Sequence, residues 1–188
     1  MTLGFSTKWP QHMGGQRNYF PEKIWAGINP SDGDRYKFFG SGWHSRDGIC
    51  QMAKGYPQWE GINDWDDRPK LHTIREDPHN RWKVGMKIHP VINNRTKDRL
   101  QFAPTIVCTE VQYIRIVWTD GLPVVHIGDT KESVMPWYWD FNEEDGYGLD
   151  QMKMLAQNDG FDSVEQFFWW FNSDFTRKII HWTDFKYQ

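Results

Sequence analysis

At 188 residues, with 38% apolar and 25% charged side chains, the chain is long enough for one hydrophobic core and short for two, so a single domain over 1–188 is expected. No window approaches the ~20 apolar residues of a membrane helix, and the two cysteines, Cys50 and Cys108, lack the spacing of a disulfide framework or a zinc site. The net charge of −3 conceals a division: nine Lys and Arg stand against three carboxylates between Arg68 and Arg99, and five against thirteen from Asp120 onward. A bounded basic segment in an acidic protein suits contact with a phosphate or other anion, or simply a solvated face, and argues against wrapping a long duplex. A soluble, unexported, cytoplasmic protein is the expectation.

In chain order, Thr2 to Ser6 alternates around Leu3 and Phe5 as a short strand, followed by a loop from Trp9 to Gly15. A helix is predicted from Asn18 or Tyr19 to about Gly27, with Pro21 harmless in its first turn and Phe20 and Ile24 on its buried face. Residues 29–66 differ in texture: glycines punctuate them, and Trp43, Trp59 and Trp65 recur without a clean period. They read as an insertion, either a functional flap or a segment folded over the core with its tryptophans as anchors.

Strand patterning begins at Leu71 to Arg75 and continues at Met86 to Asn93, Thr105 to Trp118 and Val124 to Ile127. Antiparallel strands joined by short turns predict a small, partly closed barrel. Leu149, Met152, Leu155 and Ala156 recur at helical spacing, Gly160 supplies a stop, and Ser163-Val164-Glu165-Gln166 is a capping box that opens a second helix carrying Phe167, Phe168, Trp170 and Phe171. Lys178 to Trp182 reads as a last strand closing the barrel.

The densest polar set is Lys70, His72, Thr73 and Arg75. Strand alternation puts Lys70 and His72 on one face and Thr73 and Arg75 on the other, so Lys70 and Thr73 converge only if Pro69 keeps Lys70 out of the regular pleat. Arg75 can clamp a phosphate or carboxylate bidentately, or pair with Glu76, Asp77 or the acidic last third. Asn94 and Arg95 offer donors at a loop tip that equally reads as a plain turn. Trp9, Trp43 and Trp82 are candidates for a stacking platform. Seven histidines without HExxH or i, i+4 pairing predict no metal site, and nothing calls for a cofactor.

The run Lys70-Leu71-His72-Thr73-Ile74-Arg75, followed by Trp82-Lys83-Val84-Gly85-Met86-Lys87-Ile88, resembles the K-x-x-T-I-R signature and the next strand of ASCH domains. Phe20 to Ile28 resembles the helix before that signature, Leu155 to Phe161 with Ser163 the late helix-turn-helix, and Ile179 to Phe185 the closing strand. The resemblance implies an α+β, PUA-like fold: a small mixed or antiparallel β-barrel with flanking helices, here with a Trp-rich insertion. It also implies a module that binds RNA, a nucleotide or a modified nucleoside in a basic, aromatic-lined cleft, with His72, Arg75, Trp82, Asn94, Arg95 and Trp43 as ligand contacts.

A bacterial group similar over the same signature hydrolyses N4-acetylcytidine with a Lys, a Thr and a Glu, which match Lys70, Thr73 and Asp159 here. A lysine of lowered pKa can deprotonate the threonine for attack on the acyl carbon, while the carboxylate handles the proton of the leaving amine. Asp159 is one methylene shorter than the glutamate, about 1.5 Å of reach. Lys70 and Thr73 belong to the wider signature as well, so they leave binder and amidohydrolase both open. A third reading is an interaction protein acting through the Trp-rich insertion.

Overall fold

The computed structural model describes residues 1–28, 31, 34, 37–38, 68–131, 135–138 and 147–188, with the backbone alone at 135–138 and 147. The insertion, with Trp43 and Cys50, lies almost wholly outside the described residues. What is described is α+β, built from two sheets and helices α1 (Phe20–Gly27), α2 (Tyr147–Asn158) and α3 (Val164–Trp170).

The larger sheet is antiparallel, in the order β2 (His72–Arg75), β9 (Phe175–His181), β6 (Glu110–Thr119), β7 (Leu122–Gly128) and β8 (Met135–Tyr138). The smaller sheet centres on β3 (Lys87–Ile92), which runs parallel to β1 (Thr2–Gly4) and antiparallel to β4 (Leu100–Gln101) and β5 (Ile106–Val107). No ladder among the described residues closes the two sheets into a barrel.

The run expected as one strand from Thr105 is broken at Cys108 and Thr109. The Cys108 amide donates to Met86 O of the small-sheet side and the Thr109 amide to His181 O of β9, so one stretch of chain feeds both sheets at a corner. The expected last strand is present over Lys178 to His181 but starts earlier, at Phe175, and β9 lies inside the large sheet between β2 and β6 and does not close a barrel. The β6–β7 hairpin turns on Asp120-Gly121, both at positive φ (51° and 83°), the two-residue turn that matches strand twist.

Side-chain alternation across the large sheet separates two apolar clusters. Ile74, Ile114 and Ile179 pack with α2, α3 and Phe161, while Ile180 and Trp182 pack with β1, β3 and Ile24 and Trp25 of α1. Helix α1 therefore serves both clusters, Phe20 in one and Ile24 in the other, instead of burying a single stripe. Helix α3 begins as its sequence predicts: Ser163 caps it, its hydroxyl accepting from the Gln166 amide at 3.2 Å, and the Gln166 side chain returns to the Asp162 amide at 2.9 Å. No helix among the described residues is long and apolar enough to cross a membrane.

Candidate functional site

Strand β2 begins only at His72, and the residues before it are held by other elements. The Lys70 amide donates to Lys23 O of α1 at 2.9 Å, and the Leu71 amide to Asn158 O at the end of α2 at 2.8 Å. Lys70 is thus outside the pleat, the condition under which it and Thr73 converge. Both line one cavity of about 80 Å³, together with Arg75, Asp159 and the rings of Phe20, Phe161 and Phe171.

Two glycines make room for the lysine. A Cβ on Gly27 would lie 2.5 Å from Lys70 O, and one on Gly160 would lie 3.1 Å from both Lys70 Cδ and Phe20 Cδ1. Gly160 also has φ +90°, which lets the chain leave α2 and turn towards α3.

Lys70 is 1% exposed. Its ammonium donates to Asp159 Oδ1 at 2.5 Å and to the Asp159 backbone carbonyl, and it lies 4.7 Å from the centre of the Phe20 ring. The Gly160 carbonyl, one residue on, takes the Lys23 ammonium at 2.9 Å. Two buried lysines therefore meet carbonyls just past the C-terminus of α2, where the helix dipole favours cations. The shorter arm of Asp159 still reaches its lysine, because α2 delivers its backbone within the same contact.

Burial pushes the Lys70 pKa down to about 8; Asp159 raises it, and the charges of Arg75 and Lys23 lower it. For Asp159, burial alone favours the neutral acid, but the Lys70 charge and His72 outweigh it and hold the carboxyl below the ordinary range. Thr73 is buried and lines the cavity, and its hydroxyl has no hydrogen-bond partner among the described residues.

Arg75 donates from Nη2 to Gly4 O at 2.7 Å and stacks over Phe5 at 5.2 Å, while its buried Nε has no partner. The acids expected to compete for it are engaged elsewhere, Glu76 with Arg177 and Asp77 with Lys178. His72 is fully buried on the opposite face, its Nε2 2.6 Å from the Tyr187 hydroxyl, so it contacts no cavity space.

The tryptophan expectations change more. Trp82 is 6% exposed inside the second apolar cluster and Trp9 is 5% exposed in the first, so both rings are spent on packing rather than offered for stacking. Asn94 and Arg95 are exposed on the β3–β4 loop, with Arg95 at φ 67°, the plain-turn geometry, and neither lines the cavity. Trp43 lies outside the described residues.

Sequence reasoning missed Phe20, Phe161, Phe171 and Trp170 as cavity walls and Tyr187 as the partner of His72. The only advance signal was Gly160 beside Phe161; nothing near Tyr187 marks it. A larger cleft of about 410 Å³ lies beside Tyr113, Phe175 and Arg177, and two of the three cations lining it are already paired, Lys178 with Asp77 and Asn80 and Arg177 with Glu76. Among the described residues no group of three His, Cys, Asp or Glu could hold a metal ion. No protein-family model, curated protein or solved structure matches this chain.

Proposed function

We propose that this chain is an ASCH-type, PUA-like domain that seats the acyl group or base edge of a modified nucleoside, free or within an RNA, in the pocket formed by Lys70, Thr73, Arg75 and Asp159. One observation carries the reading. A cation, a hydroxyl, a guanidinium and a carboxylate converge on one aromatic-walled cavity, the arrangement expected where a flat polar ligand is oriented by a few polar groups. With about 80 Å³ of space, on the order of a few waters, the cavity admits an acyl group or the edge of a base and not a polynucleotide strand.

A second reading is supported by the state of two side chains. Lys70, with a pKa of about 8, supplies a usable neutral amine near neutrality, and Thr73 presents an unengaged hydroxyl to the same cavity. In an amidohydrolase, neutral Lys70 takes the Thr73 proton and Oγ1 attacks the acyl carbon. The carbon–nitrogen bond breaks, the amine leaves with the proton returned by Lys70, and water cleaves the threonyl ester. Asp159 holds the lysine in place throughout.

The test is titration with N4-acetylcytidine, cytidine and a short RNA, with release of cytidine followed in parallel. Saturable binding without turnover supports the binding module. Turnover that is abolished by Thr73→Val and rises as pH passes about 8, where Lys70 becomes neutral, supports the hydrolase. No binding and no turnover at low salt would overturn both.

A further inference from the structure

The cleft of about 410 Å³ beside β9 is distinct from the small cavity, yet the two spaces share a wall. Phe171 lines the cavity, and its ring centre is 5.7 Å from the Arg177 guanidinium and 5.2 Å from the ring centre of Phe175, both of which line the cleft. Charge carries across the same wall: burial lowers the Arg75 pKa, Asp159 raises it, and the cation of Arg177 lowers it again. One layer of side chains therefore separates a ligand in the cavity from an occupant of the cleft.

Three cations and two carboxylates line the cleft, and they are not equivalent. Lys178 and Asp77 form a fixed pair: both side chains are buried, and Asp77 also accepts the amides of Arg81 and Trp82. Arg177 and Glu76 form a loose one. A single bond from Nη2 at 3.0 Å joins them, and the Glu76 side chain is 74% exposed, so water screens the pair. The guanidinium itself is stacked 4.5 Å from the centre of the Phe175 ring, while its buried Nε–H meets no acceptor among the described residues. Lys131 stands exposed at the cleft, and among the described residues it has no ion pair and the hydroxyls of Tyr113 and Thr176 make no hydrogen bond.

This set suits an anion with several oxygens. Glu76 answers one donor of Arg177; a phosphate engages the Nε and Nη2 hydrogens together, the paired geometry a guanidinium offers, and keeps oxygens for Lys131 and a hydroxyl. The cleft has the volume of a small-molecule site, typically about 300–1,000 Å³, which exceeds a lone phosphate and accommodates one carried on a sugar.

We propose that the cleft is a phosphate subsite: Arg177 and Lys131 hold the phosphate of a nucleotide, or the phosphodiester beside it in an RNA, and Glu76 is the exchangeable counter-ion that gives way to it. That the same nucleotide seats its base edge or acyl group in the small cavity rests on the reading of the pocket given above; the anion site does not.

The experiment titrates the full chain with N4-acetylcytidine, its 5′- and 3′-monophosphates, and ribose 5-phosphate, a probe that carries no base. At least one monophosphate is expected to bind about tenfold tighter than the nucleoside, the gain of one charge-assisted contact, and ribose 5-phosphate to bind in competition with it. Glu76→Gln removes the competing carboxylate, so the preference for the monophosphate rises about threefold, and Lys131→Gln lowers it by a similar factor. In an Arg177→Gln background, Glu76→Gln has no effect on that preference. A Glu76 that served the fold alone would give the opposite result, weaker binding of every ligand with a fall in Tm. Equal affinity for the nucleoside and both monophosphates, or weaker monophosphate binding in Glu76→Gln, overturns the phosphate subsite and leaves the pocket reading standing. Ribose 5-phosphate binding that responds to Glu76→Gln and Lys131→Gln, without nucleoside binding, overturns the pocket reading and leaves the subsite standing. No binding of any of the four overturns both.

Discussion

Lys70 is a cation held out of water, and its neighbours determine what removing it does. Lys70→Met leaves the Asp159 carboxylate buried without its ion partner, so a loss of about 3–5 kcal/mol in denaturant unfolding is expected. The double change Lys70→Met, Asp159→Leu removes both charges together and is expected to recover most of that loss. Gly160 is the second sensitive position. Gly160→Ala forces a side chain into φ +90° and drives its Cβ against Lys70 and Phe20, whereas Gly85→Ala, at φ +84°, meets nothing within 4 Å. The conformational term is common to both, so the excess loss in Gly160→Ala, about 1–3 kcal/mol from overpacking, measures the crowding around the lysine by itself. Gly160→Ala is also expected to weaken nucleoside binding, and Gly85→Ala is not. The sequence showed the polar set but not its burial: nothing in Lys70 to Arg75 says that one lysine is desolvated while Arg81 and Lys83, a few residues on, are exposed.

At the scale of elements, the start of α3 is the clearest case of local chemistry deciding structure. Ser163 accepts from the Gln166 amide, and the helix it opens lays Phe167 and Phe168 into the first cluster. Ser163→Ala is expected to lower stability by about 1 kcal/mol, seen as a fall in Tm, since the cap is replaced by a residue that leaves the amide unsatisfied. The helices α1 and α3 and the β6–β7 hairpin were legible because caps, stop residues and side-chain alternation act within a few residues. The corner at Cys108 and Thr109 was not. The sequence alternates smoothly through it, and only the partners, Met86 on one side and His181 on the other, divide it between sheets. The short β8 had no comparable signal, and among the described residues it pairs with β7 alone, at the margin of the large sheet.

For the whole molecule, the basic segment between Arg68 and Arg99 does not form one surface. Lys70 is buried and Arg75 turns inward, while Arg81, Lys83, Lys87, Arg95, Lys97 and Arg99 are exposed along the turn before β3, the strand itself and the β3–β4 loop. A ligand held by the pocket alone therefore engages few phosphates. The affinity for a short RNA carrying N4-acetylcytidine is expected to change little between 50 and 200 mM salt, where a protein making about 6–10 phosphate contacts loses roughly 10³–10⁵. A steep slope, measured by titration at several salt concentrations, would locate binding on the exposed cations instead. The sequence by itself determined the α+β composition and most element positions, because periodicity, capping and turn chemistry are local, and it showed Lys70 and Thr73 within a dense polar set, whereas Asp159 entered only as what the resemblance implies. The tertiary structure alone decided that these three share a cavity, that Trp82 and Trp9 are packing residues, and that His72 faces Tyr187 and not the ligand space. Burial is a property of what packs around a side chain, and those neighbours, α1, the end of α2 and the residue Tyr187, come from parts of the chain that no local pattern connects.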